Sequence, residues 1–288
     1  MNLEALAASS LDGLMMGFVY GLAAMGLTMI FGIMKVVNLA HGPLIVLGMF
    51  AVYLLKTQLG VDPYIGLGVV LVAGLFIGIG LYHVAVRRVI DAPELTTLLA
   101  TFSVNLAIIG VGTMIFTTTP RSLDVDLGAL RAGSITLLGT KAVSVLIAAA
   151  VTVALYFVIQ RTHIGKSIRA VANNRAAAEL MGINTSNMLA LSFGIGTTLA
   201  MTAGGLIATL FPFTILAGGV YELKSFVIVV LGGLGNPAGA LAGGVALGLL
   251  EGVTTVSLPV SWVPVIEYVI FVAILLLRPA GLFARLGR

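Results

Sequence analysis

The chain has 288 residues, of which 59% are hydrophobic and 9% are charged, and its mean hydropathy is +1.15. A soluble domain carries about 25% charged residues, so this composition excludes an ordinary soluble protein. The apolar runs are long and do not alternate, which argues against a β-barrel and predicts an all-α, polytopic membrane helical bundle. The net charge is +4 and there is no cysteine, so disulfides and thiolate metal sites are excluded.

The apolar stretches predict eight full-length or short helices and one half-helix, so we expect eight to nine membrane segments in one domain, residues 1–288. The N-terminal stretch lacks the basic region of a cleaved signal and is expected to be a retained span. Its glycines at positions 13, 17 and 21 predict close packing against another helix. The predicted spans are residues 10–33, 43–55, 64–86, 95–116, 142–160, 188–210, 240–256 and 265–277, with the half-helix at 223–231.

Two helix breaks stand out among these segments. Gly42-Pro43 precedes the second segment, which is short for a span, and this pattern predicts a broken or tilted helix like those near transport pathways. The stretch 232–244 is dense in glycine and contains Asn236-Pro237. For this stretch we favour a tight turn between two helices over contact with a ligand.

Residues 117–140 form a polar loop with balanced charge. Its apolar pieces, 127–130 and 134–138, predict a short hairpin or lid. We expect this loop to lie on the extracytoplasmic side of the membrane.

The longest polar run is residues 161–187, RTHIGKSIRAVANNRAAAELMGINTSN, which contains four arginines or lysines and one acid, Glu179. Its apolar residues recur at helical spacing, so it predicts two short helices at the membrane surface with an apolar face open to a partner. Gly165 and Gly182 bracket it as breaker or cap positions. Because basic loops are typical of the cytoplasmic side, this segment is predicted to be cytoplasmic.

With that segment inside and the half-helix crossing the membrane, the N-terminus lies outside and the C-terminus inside. Ten basic residues are then cytoplasmic, namely Lys35, Arg87, Arg88, Arg161, Lys166, Arg169, Arg175, Arg278, Arg285 and Arg288. Five are external, namely Lys56, Arg121, Arg131, Lys141 and Lys224. This distribution follows the positive-inside tendency.

No motif in the chain predicts catalysis. Gly165-Lys166-Ser167 resembles the end of a phosphate-binding loop, but Gln160 stands where that loop requires its first glycine. His41, His83 and His163 lack the spacing of metal ligands. We therefore expect no enzyme activity, no metal and no cofactor in this chain, and no nucleic-acid partner.

Polar residues inside membrane segments are costly and are candidates for function. For each of them the alternative is a hydrogen bond that holds helices together. Glu267 also qualifies, but it lies near the end of the last span beside Tyr268, where snorkelling to the interface is an alternative. The candidates for a translocation pathway are Asn38, His41, Asn105 and Glu251.

Three blocks of the chain resemble permease subunits of branched-chain amino acid ABC transporters, the high-affinity leucine/isoleucine/valine type. They are GLTMIFGIMKVVNLAHG at 26–42, RAVANNRAAAELMGIN at 169–184 and VLGGLGNPAGA at 230–240. The resemblance spans nearly the whole chain and is to the shorter of the two permeases in such a system. It implies a multi-pass protein of the bacterial inner membrane that translocates branched-chain or related amino acids.

The resemblance also implies partners: a second homologous permease, two cytoplasmic ATP-binding subunits that bind ATP and Mg, a periplasmic substrate-binding protein and membrane lipid. In ABC importers a cytoplasmic loop with an E-A-A…G pattern contacts the ATPase. Here residues 176–182 read AAAELMG, so Glu179 is displaced while Gly182 remains. The resemblance thus implies ATPase-coupling roles for Lys166, Arg169, Arg175, Glu179, Leu180 and Gly182.

Two alternatives stay open. An ATP-independent secondary transporter or channel for small polar solutes would require paired intramembrane acids, for which Glu251 and Glu267 are available. Within the resembling group, the substrate is open between hydrophobic and polar amino acids and small amides such as urea.

Overall fold

The computed structural model describes residues 3–132, 135–278 and 281–282. Within these ranges, nine helices are long and apolar enough to cross a membrane, which confirms the predicted membrane bundle. In chain order the elements are α1 (Leu3–Met34), α2 (His41–Leu59), α3 (Pro63–Leu81) with a π-helical turn (Tyr82–Val86), α4 (Glu94–Phe116), β1 (Ala129–Ala132), β2 (Ile135–Leu138), α5 (Gly139–Arg161), α6 (His163–Asn173), α7 (Arg175–Leu180), α8 (Thr185–Ala208), a 3₁₀ turn (Ile215–Ala217), α9 (Gly218–Gly232), α10 (Pro237–Ser257), a 3₁₀ turn (Val260–Trp262) and α11 (Val263–Leu277).

Several membrane helices extend beyond their predicted bounds, and α1, α2 and α9 do so most. α2 has 19 residues and continues through Lys56 to Leu59, because the polar side chains at its end point outward while the backbone stays helical. α9 begins at Gly218 rather than at residue 223. With the preceding 3₁₀ turn it makes an 18-residue candidate span, so the prediction of a half-helix was wrong. Gly218 and Gly219 and the polar residues Glu222 and Lys224 concealed its beginning.

α1 and α8 form the core of the bundle. In each of them 83% of the residues in the most apolar 18-residue stretch are buried, whereas only 11% are buried in the corresponding stretch of α4. α4, α5 and α11 therefore present most of their apolar surface outward, as helices in contact with lipid do. The predicted hairpin is confirmed: β1 pairs antiparallel with β2, with Ala129 opposite Leu138. Ser134 lies outside the described residues, as do Arg285 and Arg288.

The glycines of α1 and the glycine-rich stretch 232–244 both adopt the predicted arrangement. Gly17 of α1 lies so close to α10 that a Cβ on it would meet the Gly244 carbonyl oxygen at 2.7 Å, which only glycine tolerates. The 232–244 stretch forms the tight turn from α9 into α10. Gly235 has φ +83° there, and the Asn236 side chain caps α10 by accepting a hydrogen bond from the Gly239 amide at 3.1 Å.

Candidate functional site

The break between α1 and α2 is the first part of the candidate site. α1 ends at Met34 and α2 begins at His41, with Pro43 in its first turn. Asn38 and His41 are both fully buried. The side-chain oxygen of Asn38 accepts a hydrogen bond from the Ala40 amide at 3.1 Å. The backbone carbonyl of Asn38 accepts one from the His41 amide at 3.3 Å. This turn directs both polar residues into the protein.

Side chains of α4 satisfy the backbone of this break. The Thr101 hydroxyl lies 3.3 Å from both the Val37 carbonyl oxygen and the Leu39 amide nitrogen. Asn105 Nδ2 donates to the Leu39 carbonyl at 2.6 Å. Backbone groups freed by a helix break must find partners when buried, so α4 holds the break in its non-helical conformation.

Glu222 of α9 completes the group and was missed from the sequence. Its side chain is 8% exposed, its Oε2 lies 3.4 Å from Asn105 Nδ2, and it accepts a hydrogen bond from the Gly42 amide. We call Asn38, His41, Asn105 and Glu222 the break cluster. Glu222 was missed because the helix was predicted to begin one residue later.

The break cluster retains unused hydrogen-bonding capacity. Asn38 Nδ2 and both ring nitrogens of His41 are buried without a hydrogen bond of normal geometry to any described residue, although the Ala23 carbonyl faces the His41 ring. Most buried polar groups in proteins are paired. The cluster therefore carries more polar groups than its described neighbours engage.

Glu251, the fourth pathway candidate, belongs to a different group. Lys224 of α9 forms ion pairs with Glu251 of α10 and with Glu267 of α11, the second at 2.8 Å. Its ammonium lies 5.1 Å from the centre of the Tyr20 ring. Lys224, predicted to lie on the external side, thus has its side chain committed to two acids between helices.

This ion triad also corrects the interpretation of Glu267. That side chain is 2% exposed, so it does not snorkel to the interface. The two acids share one lysine and bridge three helices, which is the arrangement of a structural contact. The paired acids that a secondary transporter would require are thus engaged with a cation.

The polar segment 161–187 folds as the two predicted short helices, and side-chain caps define them. The Thr162 hydroxyl accepts from the Gly165 amide at 3.1 Å and begins α6. The Asn174 side chain accepts from the Ala177 amide at 3.0 Å and begins α7. Gly182, with φ +79°, follows the end of α7.

The apolar face of this segment differs from the expectation. Ile168 and Val171 of α6 and Ala178 of α7 are buried against the bundle. They are therefore not open to a partner, because the same helical spacing that suggested a docking face serves packing onto the protein's own helices. The most exposed large apolar residues of the segment are Leu180, 90% exposed, and Met181, 82% exposed.

The predicted coupling residues divide into two groups. Arg169 donates to the Ile159 carbonyl at the end of α5, Arg175 pairs with Asp91 at 2.8 Å, and Glu179 accepts from the Thr185 hydroxyl at 2.5 Å. Each of these three side chains therefore has a partner within the chain. Exposed on the surface are Lys166, Leu180 and Gly182.

Comparison with known proteins gives the family. The family described as "Branched-chain amino acid transport system / permease component" matches residues 9–277. The high-affinity branched-chain amino acid transport system permease protein LivH of Escherichia coli K12 is 28% identical, over 95% of this chain and 94% of its own length.

A second relative, the permease protein BraD of Pseudomonas aeruginosa, is 26% identical over the same shares of the two chains. The ribose import permease protein RbsC of E. coli K12 is 33% identical, but over 35% of this chain. No solved structure matches the chain. The chain belongs to the family of permease components of branched-chain amino acid transport systems, as a multi-pass membrane protein.

Proposed function

We propose that the chain is a membrane-spanning subunit of an ATP-binding cassette importer of the bacterial inner membrane. It translocates branched-chain or related amino acids that a periplasmic binding protein delivers. A second homologous permease and two cytoplasmic ATP-binding subunits complete the transporter, and those ATP-binding subunits, rather than this chain, hold ATP and Mg. The full-length match to permease components supports this proposal.

One observation supports the coupling role most directly. Leu180 and Met181 project from a polar segment between two spans, and both are more than four-fifths exposed. Large apolar side chains in such a position indicate a surface that another protein covers. In the proposed transporter they enter a groove of the ATPase, and the exposed ammonium of Lys166 contributes charge beside them.

The packing of α6 and α7 gives this contact a route into the membrane. Val171 and Ala178 share a buried cluster with Met34 and Val36, at the end of α1 and in the break. Val36 lies two residues from Asn38. Movement of α7 by the ATPase would therefore shift the helix break that carries the break cluster. Such a shift between discrete packed states is what alternating access requires.

The coupling role is tested by the double variant Leu180→Asp, Gly182→Asp in the assembled transporter. We expect ATP-driven uptake to be lost while membrane insertion stays at the wild-type level. The control, Leu282→Asp, places the same acid on a leucine outside the coupling segment that is 46% exposed, and it should retain uptake. Normal uptake in the double variant would refute docking at this surface, and transport by the purified chain alone would refute the importer assignment.

The orientation is tested by cysteine labelling, which is simple because the chain has no cysteine of its own. Leu127→Cys, in the loop before β1, should react in intact cells with a maleimide that cannot cross the membrane. Leu180→Cys should react only after the cells are opened. The reverse pattern would place the coupling segment outside and overturn the proposal.

A further inference from the structure

A small apolar cavity lies beside the break cluster. Its volume is about 140 Å³, and it is lined by Leu27, Phe31, Val37, Phe226, Val229 and Leu234. An apolar cavity of about 150 Å³ is large enough to bind benzene. This cavity is therefore of the size that accepts a branched hydrocarbon group of four to six carbons, on the order of one aliphatic side chain.

The cavity and the break cluster share one face of α9. Glu222, Phe226 and Val229 are spaced by four and then three residues, which places them in a row along a helix. Phe226 lies about 6 Å along the axis from Glu222, at 1.5 Å per residue. Val37 joins the cavity to the break itself, since it directly precedes Asn38.

Glu222 is an acceptor without a counter-ion. Asn105 Nδ2 and the Gly42 amide both donate to it, and the 2.6 Å bond to Leu39 fixes which end of the Asn105 amide faces Glu222. No Lys, Arg or His side chain of the described ranges forms an ion pair with it. Lys224 is engaged by two other acids. A buried carboxylate is costly until a cation pairs with it.

We propose that Glu222 and this cavity form a substrate subsite on the translocation pathway. Glu222 binds the α-ammonium group of the amino acid, and the cavity takes its branched aliphatic side chain. In an α-amino acid both groups leave the same carbon, which suits a carboxylate and an apolar cavity next to each other on one helix face. This inference rests on the proposed function and adds a selectivity step within this chain.

The charge part is tested by uptake of radiolabelled L-leucine in proteoliposomes holding the complete transporter. Glu222→Gln should lower uptake at least about tenfold, whereas Glu222→Asp, which keeps the charge, should retain more. The control Glu4→Gln makes the same change at an exposed position and should match the wild type. Uptake by Glu222→Gln within twofold of the wild type, or equal losses for Gln and Asp, would overturn the subsite.

The role of the cavity is tested with Val229→Phe, which fills the cavity without touching the carboxylate. This test can be made even if the Glu222→Gln variant does not assemble. Uptake of leucine should fall at least about fivefold more than uptake of alanine, whose side chain does not need the cavity. Equal losses for both amino acids would show that the cavity does not select the side chain and would overturn the inference. If the wild-type transporter did not take up leucine, both the proposed function and the subsite would be overturned. If the wild type took up leucine and the variants behaved as the wild type does, only the subsite would be overturned.

Discussion

The ion triad of Lys224, Glu251 and Glu267 makes a strong prediction about stability. Replacing Lys224 by Met keeps the length of the side chain but removes the cation that both acids bind. Glu267, 2% exposed, and Glu251 would then face each other without compensation. Removal of one partner from a buried ion pair costs about 3–5 kcal/mol, and we expect a loss of about that size in the free energy of unfolding.

The same geometry predicts an order among variants. Glu251→Gln leaves Lys224 paired with Glu267 at 2.8 Å, so one lysine still balances one acid. Its cost should be about 1 kcal/mol, in line with the loss of one hydrogen bond. Glu251→Gln combined with Lys224→Met should be more stable than Lys224→Met alone, because only one uncompensated acid remains.

Thermal unfolding in detergent measures this order. Trp262, the one tryptophan of the sequence, precedes α11, which carries Glu267, and its fluorescence reports whether that helix stays docked. For a domain of 150–250 residues, 1 kcal/mol shifts the melting temperature by about 2–4 °C. Lys224→Met should therefore melt at least about 6 °C below the wild type. A shift under about 2 °C, or an equal shift for Glu251→Gln, would refute the structural role of the triad.

Two further predictions concern packing and surface charge. Gly248→Ala should destabilise the chain by about 1–3 kcal/mol, because its Cβ would lie 2.6 Å from the Gly17 Cα. The matched control is Gly68→Ala, whose Cβ would have no atom within 4 Å. This control should melt no lower than the wild type. Asp91→Ala should cost under about 1 kcal/mol, because the Asp91–Arg175 pair is exposed; a larger fall in melting temperature would show that the pair anchors α7.

Local patterns in the sequence were sufficient for much of the fold. Continuous apolar runs located eight of the nine candidate spans among the described residues, and α9 as a half-helix. They succeed because backbone groups inside a membrane must pair within the segment, which a helix achieves. The spacing of Gly13, Gly17 and Gly21 identified the face that α10 covers, because close backbone contact admits no side chain. Where polar residues lie at the end of a helix, as at Lys56 and Glu222, hydropathy placed the boundary too early or too late.

The candidate site was less accessible to such reasoning. Asn38, His41 and Asn105 were identified as costly polar residues, and the structure brings them together. Hydropathy cannot tell which residue on another helix faces them, so Glu222 was missed. The apolar spacing of α6 was interpreted as a docking face, but periodicity is identical whether a helix packs on its own protein or on a partner.

The three intramembrane acids show what decides between structure and function. Glu251 and Glu267 share Lys224, which balances one of their two charges, and the three side chains hold α9, α10 and α11 together. Glu222 has hydrogen-bond donors around it but no cation among the described residues. Because burying an unpaired charge is costly, Glu222 is the acid that a passing cationic group would stabilise. Pairing across helices, which the sequence does not show, is what separates the structural acids from the acid proposed to meet substrate.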